Sequence, residues 1–255
     1  MAEKKTALFR FYAELNDFLS GGLRRKPVPY VFMVSPSVKD AIEGLGVPHP
    51  EVDLIVVNGQ SVGFDYRVRG GDRVAVYPVF ESVDITPVLK LRPEPLRQTR
   101  FVLDTHLGKL ARLLRMLGFD SLYRQNFEDN EIIQLSVEEH RIILTRDTGL
   151  LKAGVVTHGY WIRSIMPNEQ VREVLARFDL FARVRPFRRC MVCNSLITRI
   201  EKGSVLIDIP RKVRELHDEF YRCAGCRKIY WKGTHYHDMM EQIQRLSGDH
   251  AKTTL

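Results

Sequence analysis

The chain has 255 residues, with 39 Lys+Arg against 31 Asp+Glu and a formal net charge of +8. That length exceeds one average domain, and a hydrophobic share of 44% excludes a largely disordered tail protein. Four cysteines are too few for a disulfide scaffold of this size. No apolar run approaches the roughly 18–20 residues needed to cross a bilayer. The opening residues, MAEKKTALFRFYAEL, place Arg10 and Glu14 among apolar neighbours and carry no small-residue cleavage pattern. A cytoplasmic protein without a membrane partner is the expectation. The charge is unevenly spread: residues 1–90 balance at 11 basic and 11 acidic, while residues 91–255 hold 28 and 20. The whole excess lies after residue 90 and suits an anionic partner, nucleic acid ahead of a membrane surface.

In chain order, the composition predicts three segments. The stretch TPVLKLRPEPLRQ at 86–98 carries Pro87, Pro93 and Pro95 and reads as a linker, because proline is excluded from helix interiors and central strands. Character changes again at Arg183–Arg189, just before the first cysteine. The expected domains are therefore 1–88, 99–184 and 185–255.

In the first segment, Leu8-Phe9-Arg10-Phe11-Tyr12 and Tyr30-Val31-Phe32-Met33-Val34 have strand composition. Ser37 is placed to cap a helix whose apolar stripe is Val38, Ala41 and Ile42 and which Gly44 closes. Leu54-Ile55-Val56-Val57 runs into Asn58-Gly59, a type I′ hairpin signal. Gly70-Gly71-Asp72 then turns into the strand Arg73-Val74-Ala75-Val76-Tyr77. Strand, strand, helix and further strands is a β-grasp order. The motifs V-N-G-Q and R-G-G-D-R-V-A-V-Y-P-V resemble the ubiquitin-like sulfur carriers of the ThiS and MoaD type. Those carriers end in a free Gly-Gly, whereas here Phe80-Glu81-Ser82 continues the chain. The expected role is docking a protein partner or serving as a scaffold.

The second segment alternates strands and helices. Arg100-Phe101-Val102-Leu103-Asp104 reads as a buried strand ending in an acid. An amphipathic helix over 105–117 follows, with Leu107, Leu110, Leu114 and Leu117 on one face and Lys109, Arg112 and Arg115 as a basic stripe. Gly118 suits its C-terminal cap. Strands are expected at 119–123 and 141–145, short strands at 155–156 and 160–162, and helices at 129–140 and 168–178. The pattern implies a three-layer, mostly parallel α/β sheet. Ligands in such sheets gather beyond the carboxyl ends of the strands. Asp104 and Asp147 end two strands, and Asp129 opens a helix after another. Taken singly, each acid reads as a helix cap. Taken together, they would face one crevice, where unpaired carboxylates repel one another and call for a hard cation such as Mg²⁺ or Mn²⁺.

Two motifs here, L-D-T-H-L-G-K-L-A-R-L-L-R-M-L-G-F-D and E-D-N-E-I followed by R-I-I-L-T-R-D, resemble the PIN-like RNase family named for the C-terminal domain of the Mut-seven nuclease. The resemblance implies a PIN-type fold and metal-dependent RNA hydrolysis leaving 5′-phosphate and 3′-hydroxyl ends. It makes Asp104, Asp129 and Asp147 the catalytic acids, with Glu131 as an auxiliary and only a distant Glu169 as a fourth. Lys109, Arg112 and Arg146 are candidate RNA contacts, with a solvated helix face as the alternative for the first two.

The third segment holds Cys190-Met191-Val192-Cys193 and Cys223-Ala224-Gly225-Cys226, which use every cysteine. Two C-x-x-C pairs separated by 29 residues predict a structural zinc ribbon, since a redox pair or free thiols would not explain both pairs. Residues 196–209 are expected to form its hairpin. Arg188, Arg189, Arg222, Arg227 and Lys228 crowd the knuckles, among Tyr221, Tyr230 and Trp231. That mixture suits single-stranded RNA, although Trp231 fits better as core of a small module. The run W-K-G-T-H-Y-H also resembles the end of the Mut-seven domain and makes His235 a further RNA contact, not a zinc ligand. The leading expectation is a multi-domain α+β and α/β metal-dependent ribonuclease. The alternative is a non-catalytic RNA-binding or scaffold protein with a degenerate nuclease site.

Overall fold

A computed structural model describes residues 3–78 and 99–248. The expected linker at 86–98 and the Phe80-Glu81-Ser82 continuation lie outside the described residues.

The N-terminal region is a mixed five-stranded sheet with one helix. Its strands are β1 (Lys5–Phe11), β2 (Val28–Phe32), β3 (Val52–Val57), β4 (Gln60–Ser61) and β5 (Arg73–Pro78), in the order β2-β1-β5-β3-β4. β1 runs parallel to β5, with Phe9 opposite Val74, while β2 and β3 flank them antiparallel. Alternation along β1 turns Ala7, Phe9 and Phe11 inward. They meet Val38, Ala41 and Ile42 of helix α1 (Val38–Gly44), all fully buried. The larger of these side chains, Phe9, Phe11, Val38 and Ile42, contribute about 1.5–3 kcal/mol each on leaving water. Ser37 caps α1, its hydroxyl accepting from the Asp40 N–H at 3.0 Å. Asn58 and Gly59 take positive φ of 49° and 86°, the I′ geometry their sequence predicts.

The R-G-G-D motif has a structural use. The buried Asp72 carboxylate accepts from Asn58 Nδ2 at 2.9 Å, the Tyr66 hydroxyl at 3.0 Å and the Arg69 N–H at 2.7 Å. It pins the turn that launches β5.

By packing, the chain divides into two units: Met1–Gln98 with Ile133–Trp161, and Thr99–Ile132 with Ile162–Leu255. The α/β core carries parallel sheet in both. In the first unit β8 (Ile142–Thr145) pairs in parallel with β9 (Gly159–Trp161) across helix α4 (Thr148–Leu151). In the second, β6 (Arg100–Leu103) pairs in parallel with β7 (Asp120–Leu122), joined by α2 (Gly108–Met116). Helix α3 (Asp129–Glu138) lies between β7 and β8 in the chain. Leu107, Leu110, Leu114 and Leu117 are at most 1% exposed, as their spacing requires. Gly118 ends α2 at φ 96°, and the last carbonyls of the helix accept from Arg185 N and Phe187 N. Helix α5 (Pro167–Arg177) packs on α2, and the C-terminal α7 (Thr234–Ser247) packs on α5.

Three expectations need correction. Val155 and Val156 lie outside any strand. The region after Leu196 is not a simple hairpin: β10 (Ile197–Ile200) pairs antiparallel with β11 (Phe220–Cys223) across a connection holding a 3-10 turn (Lys202–Val205) and helix α6 (Arg211–Leu216). Pro210, whose ring fixes φ near the helical value and supplies no N–H, stands at the start of α6. Finally, Arg115 does not belong to a solvent-facing stripe; it is 4% exposed.

Candidate metal centre and candidate acids

The four cysteines converge although they come from two loops. Their sulfurs all lie within 4.8 Å of one another, with Cys190 and Cys226 3.6 Å apart and Cys193 and Cys223 3.3 Å apart. Sulfurs about 2.3 Å from a tetrahedral zinc stand about 3.8 Å from each other, so the cage has the right size and donor chemistry. Each knuckle is built the same way. The first cysteine's carbonyl accepts from the fourth residue on (Asn194 N, 2.9 Å; Arg227 N, 3.2 Å). Its N–H donates to the fifth (Ser195 O, 2.8 Å; Lys228 O, 2.9 Å). Asn194 and Arg227 both sit at positive φ, 71° and 61°, which closes the loop around the sulfurs. Gly225 lies against Ser195 in the other knuckle, where a Cβ would collide with the serine side chain.

Four thiolates at this separation repel one another without a cation. The Cys223 thiol is pushed up to about 12 by burial and by its contact with Cys193. Burial pushes the Cys193 thiol upward as well, but hydrogen bonds from Ser195 and the neighbouring chain outweigh it and hold the group at about 6. The Tyr230 hydroxyl lies 3.0 Å from Cys190 Sγ, and its pKa is raised by burial and by that sulfur. β12 (Ile229–Trp231) completes the three-stranded ribbon. Trp231 packs on its small core of Val205, Ile209 and Phe220, in keeping with a structural role.

Arg115 connects this centre to the α/β core of the second unit. Its guanidinium donates to Ser121 O and Val192 O at 2.8 Å each, and more distantly to Met191 O and Tyr123 O. Asn194 adds a second staple: Oδ1 accepts from Ser121 N at 3.0 Å and Nδ2 donates to Asp120 at 2.8 Å. Arg189 pairs with Asp120 at 3.1 Å and donates to Asn194 O. It is thus engaged in holding the knuckle. The sequence pattern puts Arg115 in a basic stripe and gives Asn194 no role; the signal for their stapling function is only their position beside a buried helix face and a cysteine.

The candidate acids stand on separate elements. Asp104 follows β6, is 6% exposed, and caps the turn at Thr105–Leu107 by accepting from His106 N at 2.7 Å. Asp147 follows β8, is exposed, and accepts from Gly149 N at 2.7 Å to cap α4. Asp129 is exposed in the first turn of α3. Glu131 reaches back to the Glu128 N–H at 3.1 Å, a capping-box contact, and pairs with Arg124. Glu169 pairs with Arg172 on α5. Among the described residues the cysteines are the one group of three or more ligating side chains within 4.8 Å. Lys109, Arg112, Arg146, Arg188 and His235 are exposed. No helix among the described residues is long and apolar enough to cross a membrane.

Comparison with known protein families matches residues 99–243 to the Mut7-C RNAse domain and residues 4–84 to the Mut7-C ubiquitin. No curated protein and no solved structure matches the chain. The first of these matches covers more than half of the residues, and on it the chain belongs to the Mut7-C RNAse domain family, with a Mut7-C ubiquitin-like domain at its N-terminus.

Proposed function

We propose that the protein is a ribonuclease dependent on Mg²⁺ or Mn²⁺, in which Asp104, Asp129 and Asp147 hold the ion and a zinc ribbon helps bind RNA. The observation that carries this reading is the match to an RNase domain across the very residues that contain all three acids and all four cysteines. In this reading the three parts are a β-grasp domain (1–88), a PIN-like α/β core (99–184) and a zinc ribbon with its terminal helix (185–255), in a cytoplasmic protein.

Asp104 and Asp147 follow the carboxyl ends of β6 and β8, each a member of a parallel pair, the end at which such sheets bind ligands. The hard oxygens of the three carboxylates suit Mg²⁺ or Mn²⁺, ions that bind few protein groups and keep much of their water. When bound, the ion supplies an activated water for in-line attack on phosphorus and offsets the charge that builds there. The backbone caps at His106 and Gly149 fix one oxygen of Asp104 and of Asp147. Exposed Lys109 and Arg112 on α2 and Arg146 beside Asp147 neutralise flanking phosphates. Exposed Arg188, before the first knuckle, and His235, on α7, are further RNA contacts in this reading, and Arg189 orients the first knuckle. Zinc held by Cys190, Cys193, Cys223 and Cys226 stabilises the ribbon and takes no part in the chemistry.

A second reading, an RNA-binding scaffold without catalysis, draws on the capping bonds that give Asp104 and Asp147 each a local structural use. One assay separates the two: purified protein with single-stranded and structured RNA, in Mn²⁺ or EDTA, beside Asp147→Asn. The nuclease reading expects cleavage in Mn²⁺ alone and a loss of at least about 100-fold in the variant, the scale of removing a key charge-stabilising group. Cleavage that survives both EDTA and the substitution overturns the mechanism. Binding without cleavage establishes the scaffold.

A further inference from the structure

The ubiquitin-like domain carries a surface that fits a segment of its own chain. The short Pro48-bounded turn His49–Glu51 places two buried polar side chains side by side, His49 at 5% and Glu51 at 0% exposure. Within the first packing unit both are aimed at the segment 154–161. His49 Nε2 contacts Val156 O at 2.7 Å, while its Nδ1 is held by Glu43 at 2.6 Å. The Glu51 carboxylate accepts from the backbone N–H of Trp161 at 2.5 Å. Lys39 reaches Gly154 O at 3.3 Å. The Phe18 ring lies on the Trp161 indole with centroids 5.1 Å apart. Pro50 lies beside Gly159, where an added Cβ would stand in ordinary contact with it at 3.6 Å but would clash with Leu151. These are bonds to main-chain groups of one strand and the loop before it, made by side chains more than a hundred residues away.

The grip continues to a candidate acid. Trp161 pairs with Thr145 across the β8–β9 ladder, and its indole N–H donates to Arg146 O at 3.2 Å. Arg146 is the residue before Asp147, whose own N–H is held by Thr145 Oγ1 at 2.8 Å. We infer that the ubiquitin-like domain is an internal brace: its partner is segment 154–161 of the same chain, and by fixing Trp161 it sets the position of the Arg146–Asp147 turn. The part of this inference that concerns Asp147 rests on the metal-dependent nuclease reading above. Glu51, Phe18 and Trp161 act as positioning residues, because none of them touches the reacting atoms.

The test uses the full-length, zinc-loaded chain in four forms: wild type, Glu51→Ala, Glu51→Gln and Trp161→Phe. Amide hydrogen exchange over 142–161 is followed alongside kcat and KM for RNA cleavage in Mn²⁺. Glu51→Gln keeps an acceptor for the Trp161 N–H, and Trp161→Phe keeps the ring contact with Phe18 but loses the donor to Arg146 O. The brace expects Glu51→Ala to speed exchange in 142–161 about tenfold or more through local opening, with Glu51→Gln restoring most of the protection. It expects kcat to fall about tenfold in Glu51→Ala and Trp161→Phe with KM little changed, as small misplacements of a catalytic group do. Unaltered exchange in a folded Glu51→Ala protein overturns the brace. Faster exchange with unaltered kcat overturns its link to Asp147. If wild type shows no cleavage at all while Glu51→Ala still loses protection, the brace stands and the nuclease reading is what has failed. Should Glu51→Ala not fold, Phe18→Leu takes its place in the exchange measurement, with the same two outcomes.

Discussion

The cysteine centre and the aspartates are assembled in opposite ways. Each cysteine knuckle is closed by hydrogen bonds four and five residues along the chain, repeated in both loops, so its geometry is a local property of C-x-x-C followed by one residue at positive φ. The aspartates come from three elements, and Asp104 and Asp147 are each occupied in capping their own turn. Soft donors set by short spacing form a cage that is ready for its ion. The aspartates are spread along 43 residues of sequence, and no local pattern of this kind joins them. The difference teaches how each site would use a metal: on the function proposed above, the cysteines' ion would serve stability and the aspartates' ion turnover.

The largest effect is expected where that distinction is sharpest. Cys190→Ser should lose its stoichiometric zinc and unfold the ribbon, since structural zinc is worth on the order of 10 kcal/mol of folding free energy. Metal analysis and near-UV circular dichroism check this, and a variant that keeps a full equivalent in a stable fold would contradict the ribbon. Asp147→Asn should do the reverse, with activity falling as stated above and the melting temperature unmoved, because the amide oxygen still caps α4.

Arg115→Met comes next. It strips Ser121 and Val192 carbonyls of a buried charged donor and should cost about 3 kcal/mol, read as a fall in melting temperature of roughly 10 °C. If zinc affinity drops with it, the knuckle and α2 are one cooperative piece; unchanged affinity would show that the knuckle is self-sufficient. The smallest effect belongs to Lys109→Ala with Arg112→Ala. KM for RNA should rise by about fivefold, and the salt dependence of binding should flatten by nearly two counterions, with kcat almost unchanged. An unaffected salt slope would return both residues to the solvated face that their spacing also allows.

What the sequence revealed follows the range of the interactions concerned. Ser37, the Asn58-Gly59 turn, the leucine face of α2 and both cysteine knuckles depend on partners a few residues away, and each is found where its pattern places it. Arg115 departs from its pattern because a basic residue spaced with Lys109 and Arg112 gives a solvent stripe by periodicity alone; two of its acceptors, on the first knuckle, lie 76 and 77 residues downstream. Helix α6 escaped notice because its apolar members, Val213 and Leu216, are too few to make a periodic signal. The turn His49–Glu51 was silent for the same reason as Arg115, since the bonds it makes span 107 and 110 residues.

The account turns on whether the aspartates become a metal site when phosphate arrives. Mn²⁺ binding to the zinc-loaded protein, followed by electron paramagnetic resonance with and without a non-cleavable RNA analogue, asks this directly. The prediction is weak Mn²⁺ binding alone, a tightening of at least about tenfold when the analogue is present, and loss of that tightening in Asp104→Asn and Asp147→Asn. Equal Mn²⁺ affinity in wild type and both variants, with the RNA analogue bound, would contradict the account.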